Sequence, residues 1–275
     1  MIYETIGCLK KMRVNQHIPV EYTLCLNDQH IPMNTLLGRK IALTYTGQIY
    51  CTQCGRKTNK SFQQGYCFPC YRRLLECHLC TIYPEKCAYY EGKCDPNDWA
   101  HANCGQPHII YLANSSGLKV GITRTSQIPT RWIDQGATQG LPIFNVKNRY
   151  QSGLVEVALK KYIADKTNWR AMLCSGGIPQ DLLAKREEVL KQIKDGVDEL
   201  NKKFNGDIQP LPDAALTEIT YPILQYPEKI QVFNLDKDKS VEGILQGIKG
   251  QYLLLDTGVI NIRKFTGYEV MLHGE

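Results

Sequence analysis

The chain has 275 residues, 43% hydrophobic and 22% charged. That composition fits a folded protein and excludes disordered and fibrous classes. No apolar run approaches the roughly 18 residues needed to cross a bilayer, and the first residues lack a secretory pattern, so a cytoplasmic protein with no membrane partner is expected. The formal charge of +6 is too small to argue a nucleic-acid role by itself, which must rest on where the basic residues sit.

Taken in chain order, residues 1–50 predict a β unit. "IPVEYTLCL" alternates apolar and polar positions, and "GRKIALTYTGQIYC" reads as two short strands around a turn at Thr46-Gly47. Residues 51–105 hold nine of the 12 cysteines and few long aliphatics, so this segment needs metal to fold. Residues 106–204 predict an α/β unit: a hairpin, helices near "IPTRWIDQGA" and "SGLVEVALKKYIADK", and a long C-terminal helix over 179–204 with Pro179 in its first turn. A Gly/Pro-broken linker covers 205–215, and five short β runs over 216–275 suggest a small barrel or half-barrel. "GRKIALTYTGQIYC" and "GQYLLLDTGVINI" share a β run, Thr-Gly and a second β run, which predicts related β units at the two ends.

Cys51, Cys54, Cys67 and Cys70 form a C-x2-C-x12-C-x2-C array, two knuckles able to grip one ion tetrahedrally. Behind it stand Cys77, Cys80, Cys87, Cys94 and Cys104. Cys77 and Cys80 form a knuckle that Cys87 and Cys94 would complete, leaving Cys104 spare or an alternate ligand and His78 and His101 as bystanders. The expected cofactors are therefore two structural zinc ions, whose closed thiolate shells leave no position for substrate and lower the net charge by about four. Cys8, Cys25 and Cys174 read as small hydrophobes. Arg56, Lys57, Lys60, Arg72 and Arg73 stand beside Tyr66, Phe68 and Tyr71, a mixture suited to phosphate contact and base stacking.

"KVGITRTSQIPTRWIDQGATQGLP" gathers Thr123, Arg124, Arg131, Trp132, Asp134 and Gln135 in one run, which predicts a lined cleft where Thr123, Arg124, Trp132 and Gln135 meet substrate.

"IIY" ending at Tyr111, a polar loop, "KVG" ending at Gly121, then Arg131 in "PTRW" and Glu156 in "GLVEVALKKYI" resemble the GIY-YIG nuclease superfamily over residues 108–170. The resemblance implies a three-stranded sheet flanked by helices. It assigns Tyr111 as base or water positioner, Arg131 as phosphate stabiliser, Glu156 as ligand of one magnesium or manganese ion, and Asn168 as a further member. Lys119 stands where the family has its second tyrosine and becomes a phosphate contact; Gln135 stands where a histidine often sits. The whole chain also resembles a family of uncharacterised prokaryotic proteins that carry "CGR", "GYCFPC", "PEKC", "LKVGITR", "PTRW", "DQGA" and "NWRAML"-like strings in this order.

The fold class read here is α+β: a zinc-ribbon segment, then a GIY-YIG-like α/β core, flanked by small β-barrel-like units at both ends. The leading functional expectation is a zinc-stabilised endonuclease acting on DNA or structured RNA. A non-catalytic RNA-binding protein, and an enzyme on a nucleotide or modified base stacked against Trp132, remain alternatives.

Overall fold

A computed structural model describes residues 3–94, 98–163 and 167–274. Strands β1 (Tyr3–Cys8), β2 (Arg13–Asn15), β3 (Glu21–Leu26), β4 (Gln29–Pro32) and β5 (Lys40–Ile49) precede the cysteine-rich segment, which carries helices α1 (Phe68–Arg73) and α2 (Asp98–Asn103). Then follow β6 (His108–Asn114), β7 (Leu118–Arg124), α3 (Thr130–Asp134), β8 (Gln139–Val146), α4 (Arg149–Leu159), α5 (Trp169–Cys174), α6 (Leu182–Gln192) and α7 (Lys194–Lys203). Short strands β9 (Gln209–Pro210) and β10 (Thr217–Glu218) lead to β11 (Ser240–Lys249), β12 (Tyr252–Leu255), β13 (Gly258–Asn261) and β14 (Tyr268–Gly274).

The two ends of the chain build one sheet rather than two barrels. Its order is β1-β14-β5-β11-β12-β13, and among the described residues it stays open. The ends are related, though in a different alignment from the expected one: "LCLNDQHIPMNTLLGRKIAL" (24–43) matches "LLLDTGVINIRKFTGYEVML" (253–272). Each copy runs strand, turn, strand, 3₁₀ turn (Met33–Leu36 or Ile262–Phe265), a glycine at positive φ (Gly38 or Gly267), then a long strand. Leu43 and Leu272, equivalent in the two copies, face each other across the β5–β14 pair, and Leu9 on Leu26 repeats Leu245 on Leu255. The sheet therefore has a pseudo-two-fold axis between β5 and β14. Burying one apolar set against its own copy completes a core that neither copy can close alone.

Three local expectations fail for identifiable reasons. Thr46-Gly47 is no hairpin turn: β5 is continuous, and Gly47 at φ +88° lies in a bulge opposite Tyr268–Val270, where extra residues of β5 are absorbed. The long helix begins at Leu182, because Asp181 rather than Pro179 starts it by accepting the Ala184 N–H at 2.9 Å. It breaks at Ile193 into α6 and α7, which keeps Val189, Ile193 and Val197 on one core. "EKIQVFNL" makes only an isolated bridge, Val232 to Val259.

The second sheet, β10-β8-β6-β7 with β9 beside β8, holds the site. Its central strand β6 is buried along its whole length, and the two-residue period of a strand sorts its side chains. Ile109, Tyr111 and Ala113 join the core shared with the terminal sheet, while Ile110 and Leu112 join the core under α4, α6 and α7. A tyrosine in this strand is thus held rigidly between two layers.

Candidate functional site

A cleft of about 490 Å³ opens where the second sheet, the cysteine-rich segment and the terminal sheet meet. Tyr111 from β6, Lys119 from β7, Arg131 from α3 and Glu156 from α4 all line it. Tyr111 is fully buried, and its hydroxyl donates to Gln135 Oε1 at 3.0 Å. Burial pushes its pKa up against the opposing pull of the Arg131 guanidinium, so the phenol stays neutral. Tyr111 pairs with Gly121 across the hairpin, and a Cβ at 121 would lie 2.5 Å from the tyrosine hydroxyl. Glycine there is a steric requirement of the ring above it.

Lys119 is buried, and its Nζ donates to Thr167 Oγ1 at 2.7 Å. Glu156 is buried and meets Lys160 Nζ at 3.3 Å, one helical turn on. The cleft's other carboxylate among the described residues, Asp134, is ion-paired with Lys11 and also accepts from Gln251 Nε2 at 2.9 Å. Seven lysines and arginines against two carboxylates line the cleft, so most of the chain's formal positive excess is spent here. His108 lies at its edge with Nδ1 hydrogen-bonded to the Gln106 carbonyl at 2.7 Å. Burial depresses its pKa to about 4, so its ring is neutral at physiological pH.

Of the residues expected to meet substrate, Thr123, Arg124 and Gln135 line the cleft. Arg124 also donates to the Ala102 carbonyl at 3.0 Å. Trp132 does not line it: only 1% exposed, it packs edge-on to Tyr111 at 5.8 Å and fills the space over Gly140, in the core between the two sheets. It therefore offers no stacking platform. Asn168 lies outside the cleft and caps α5, accepting the Ala171 N–H at 3.2 Å.

The sulfurs of Cys51, Cys54, Cys67 and Cys70 lie within 4.8 Å of one another. Zinc–sulfur bonds of about 2.3 Å in a tetrahedron put sulfurs about 3.8 Å apart, and Cys54 Sγ lies 3.8 Å from Cys67 Sγ. Burial acts to raise the Cys51 thiol pKa, but the N–H groups of Cys67, Cys54 and Gln53 outweigh it and hold the thiol well below its ordinary range. The four residues could hold one zinc ion. Among the described residues no second group of three or more ligand atoms lies within 4.8 Å of one another, so the expected set of Cys77, Cys80, Cys87 and Cys94 is not gathered as the first one is. Of the expected small hydrophobes, Cys25 is buried, Cys8 half-buried and Cys174 exposed.

A family model described as "Protein of unknown function (DUF2797)" matches residues 38–270. The chain belongs to this family. No curated protein and no solved structure matches it. In this DUF2797 member the cleft also contains residues that the sequence reading did not single out: Lys11, His108, Arg149, Lys160 and Arg263. Arg149 and Lys160 carried a signal, since both fall about one or two helical turns from Glu156 on α4. Lys11 and Arg263 reach the DUF2797 cleft from opposite ends of the chain, through a sheet that local patterns do not reveal.

No helix of the described residues is long and apolar enough to cross a membrane.

Proposed function

We propose that this protein is a divalent-metal-dependent phosphodiesterase of GIY-YIG type that cleaves DNA or structured RNA in a reducing, cytoplasmic setting. The observation that carries this reading is the convergence of Tyr111, Lys119, Arg131 and Glu156 on one cleft rich in lysine and arginine. The order strand, strand, helix, strand, helix from β6 to α4, with β6 central, also supports it.

Each side chain has chemistry to contribute. Arg131 and Lys119 offset charge on a phosphodiester as it passes to a five-coordinate transition state. Asp134 is held by both Lys11 and Gln251, whereas Glu156 would exchange its contact with Lys160 to hold magnesium or manganese, which when bound supplies a Lewis acid. Because the Tyr111 phenol is neutral and its proton points to Gln135, Tyr111 serves as a positioner whose oxygen accepts a hydrogen bond from water, rather than as a phenolate base. The thiolate zinc of the first cluster is structural, and its reduced cysteines suit the same compartment.

One observation favours a second reading, nucleic-acid binding without cleavage: Glu156 is engaged by Lys160, and a lysine replaces the second tyrosine. Incubating end-labelled single-stranded DNA, duplex DNA and RNA with manganese separates the two. Cleavage by the native protein, lost in Glu156→Ala and in Tyr111→Phe, supports the nuclease. Tight binding with no cleavage supports the second reading, and cleavage unaffected by Glu156→Ala overturns the site.

A further inference from the structure

We propose that Trp99, His108, Arg124 and Arg149 form a second subsite in the cleft, which takes an unpaired nucleotide flanking the scissile phosphate, so that the substrate is a single strand. This deepens the reading of the cleft as a nucleic-acid site and rests on it. His108 and Arg124 stand directly opposite one another across the β6–β7 pair, so their side chains share one face of the sheet. Arg149 opens α4, three residues beyond the end of β8, where Val146 pairs with His108. The three therefore meet at one end of the cleft, which all of them line.

The two guanidiniums at this end carry charge that no carboxylate cancels. Arg124 donates to the Ala102 carbonyl at 3.0 Å and Arg149 to the Thr81 carbonyl at 2.5 Å. Carbonyls are neutral, and among the described residues neither arginine has a carboxylate partner. These bonds fix the two heads and leave the other donors of each five-donor fork for an anion, for which phosphate has the matching geometry. His108 plays a different part. Its Nδ1–H donates to the Gln106 carbonyl at 2.7 Å, so Nε2 of the neutral ring is an acceptor, suited to a sugar hydroxyl or a base N–H rather than to a phosphate oxygen.

A platform for the base lies at the same place. Half-buried Trp99 lines the cleft from α2, one helical turn before Ala102, whose carbonyl holds Arg124. It has the place on the cleft that Trp132 lacks. A nucleobase stacked on a tryptophan has left its paired partner, so this subsite admits only unpaired strand. Two elements give the same displacement from the reacting centre: three residues of β6 separate His108 from Tyr111, and seven residues of α4 separate Arg149 from Glu156. Each interval is about 10 Å, which makes room for a second phosphate rather than a second grip on the first. The cleft's volume of about 490 Å³ suits a nucleotide or two, since pockets for small ligands run from roughly 300 to 1,000 Å³.

The test is fluorescence anisotropy with labelled oligothymidylate as a single strand, as its blunt duplex with oligoadenylate, and as an abasic strand of equal length, with no divalent metal added. The native protein should bind the thymidylate strand roughly 5- to 100-fold more tightly than the duplex or the abasic strand, the range that one stacked base supplies. Trp99→Leu should lose that preference and Trp99→Phe keep most of it. Arg124→Gln should lower the slope of log K against log salt by about 0.7, one phosphate contact on a single strand. Duplex bound as tightly as the single strand overturns the subsite and leaves the nucleic-acid reading standing. So does a full effect of Arg131→Gln with none from Trp99→Leu or Arg124→Gln. Failure to bind any of the three overturns both. Should Trp99→Leu fail to fold, the abasic comparison on the native protein decides.

Discussion

Tyr111 and Gly121 stand opposite one another on β6 and β7, and the tyrosine hydroxyl fills the volume that any side chain at 121 would need. Gly121→Ala should push the ring off Gln135 and cost about 1–3 kcal/mol by overpacking, read from denaturant unfolding. Nucleic-acid cleavage should fall with it. Wild-type stability in Gly121→Ala would mean that the ring is free to move aside.

The first cysteine cluster should behave as a folding site. Cys70→Ser should lose one zinc and open the segment between Cys51 and Cys77 to protease, because a structural zinc contributes on the order of 10–16 kcal/mol of binding free energy to a small fold. The β6–β8 sheet should remain protected in hydrogen exchange. Protease resistance unchanged after loss of that zinc would show that the segment folds without metal.

His108 makes stability depend on pH. Its folded pKa, about 4, lies below the ordinary histidine value near 6.5, with burial the main cause. The unfolded chain therefore binds the extra proton first as pH falls. Stability should be full above about pH 6.5, decline between there and pH 4, and level off below, by up to roughly 3 kcal/mol. His108→Gln should flatten that part of the profile in urea titrations; an unchanged slope would assign it elsewhere.

Lys249 is fully buried, donates to the Ser175 carbonyl at 2.9 Å and lies near the rings of Tyr221 and Tyr226. Burial lowers its pKa to about 8. Below pH 8 the folded chain holds a buried charge at a cost, and that cost is relieved as pH rises from 8 toward 10.5. Lys249→Met should accordingly be neutral or stabilising by about 1 kcal/mol at pH 7, and should lose the alkaline gain. A destabilisation above about 2 kcal/mol would show that the ring and carbonyl contacts outweigh desolvation.

Binding through the cleft should be salt-dependent. Arg131→Gln and Arg263→Gln should each weaken nucleic-acid affinity and reduce the slope of log K against log salt by about 0.7–0.9 for each phosphate contact removed. Fluorescence anisotropy over a salt series measures this directly. Slopes equal to the native value would place the nucleic acid elsewhere.

Legibility in the sequence followed range. The first cysteine cluster was readable because its chemistry depends on two short spacings and one loop. Gly121 was flagged by motif, although its physical reason, the Tyr111 ring, needed the hairpin register. Trp132 misled because a run of polar neighbours says nothing about which way an aromatic side chain turns, and Gly140, the residue that makes room for it, lies on another strand. Asn168 misled because a cap and a ligand look alike in one dimension. The second cysteine group stayed open for a related cause: its spacing does not single out which of its five cysteines would close on one ion, and among the described residues no three of its sulfurs lie within 4.8 Å of one another. Within the terminal sheet the repeated apolar pattern was visible, but its alignment was not, because the turn residues of the two copies differ.

The pseudo-two-fold sheet has a further consequence for biosynthesis. Strand β5 emerges from the ribosome early, with both edges bare, and its two neighbours β14 and β11 follow some two hundred residues later. Until then Arg263 is missing from the cleft that Lys11 lines, and the cleft lacks a side. An unmated β5 is the segment most prone to wrong pairing, so a nascent chain halted before β14 should be a client for chaperones and inert toward nucleic acid.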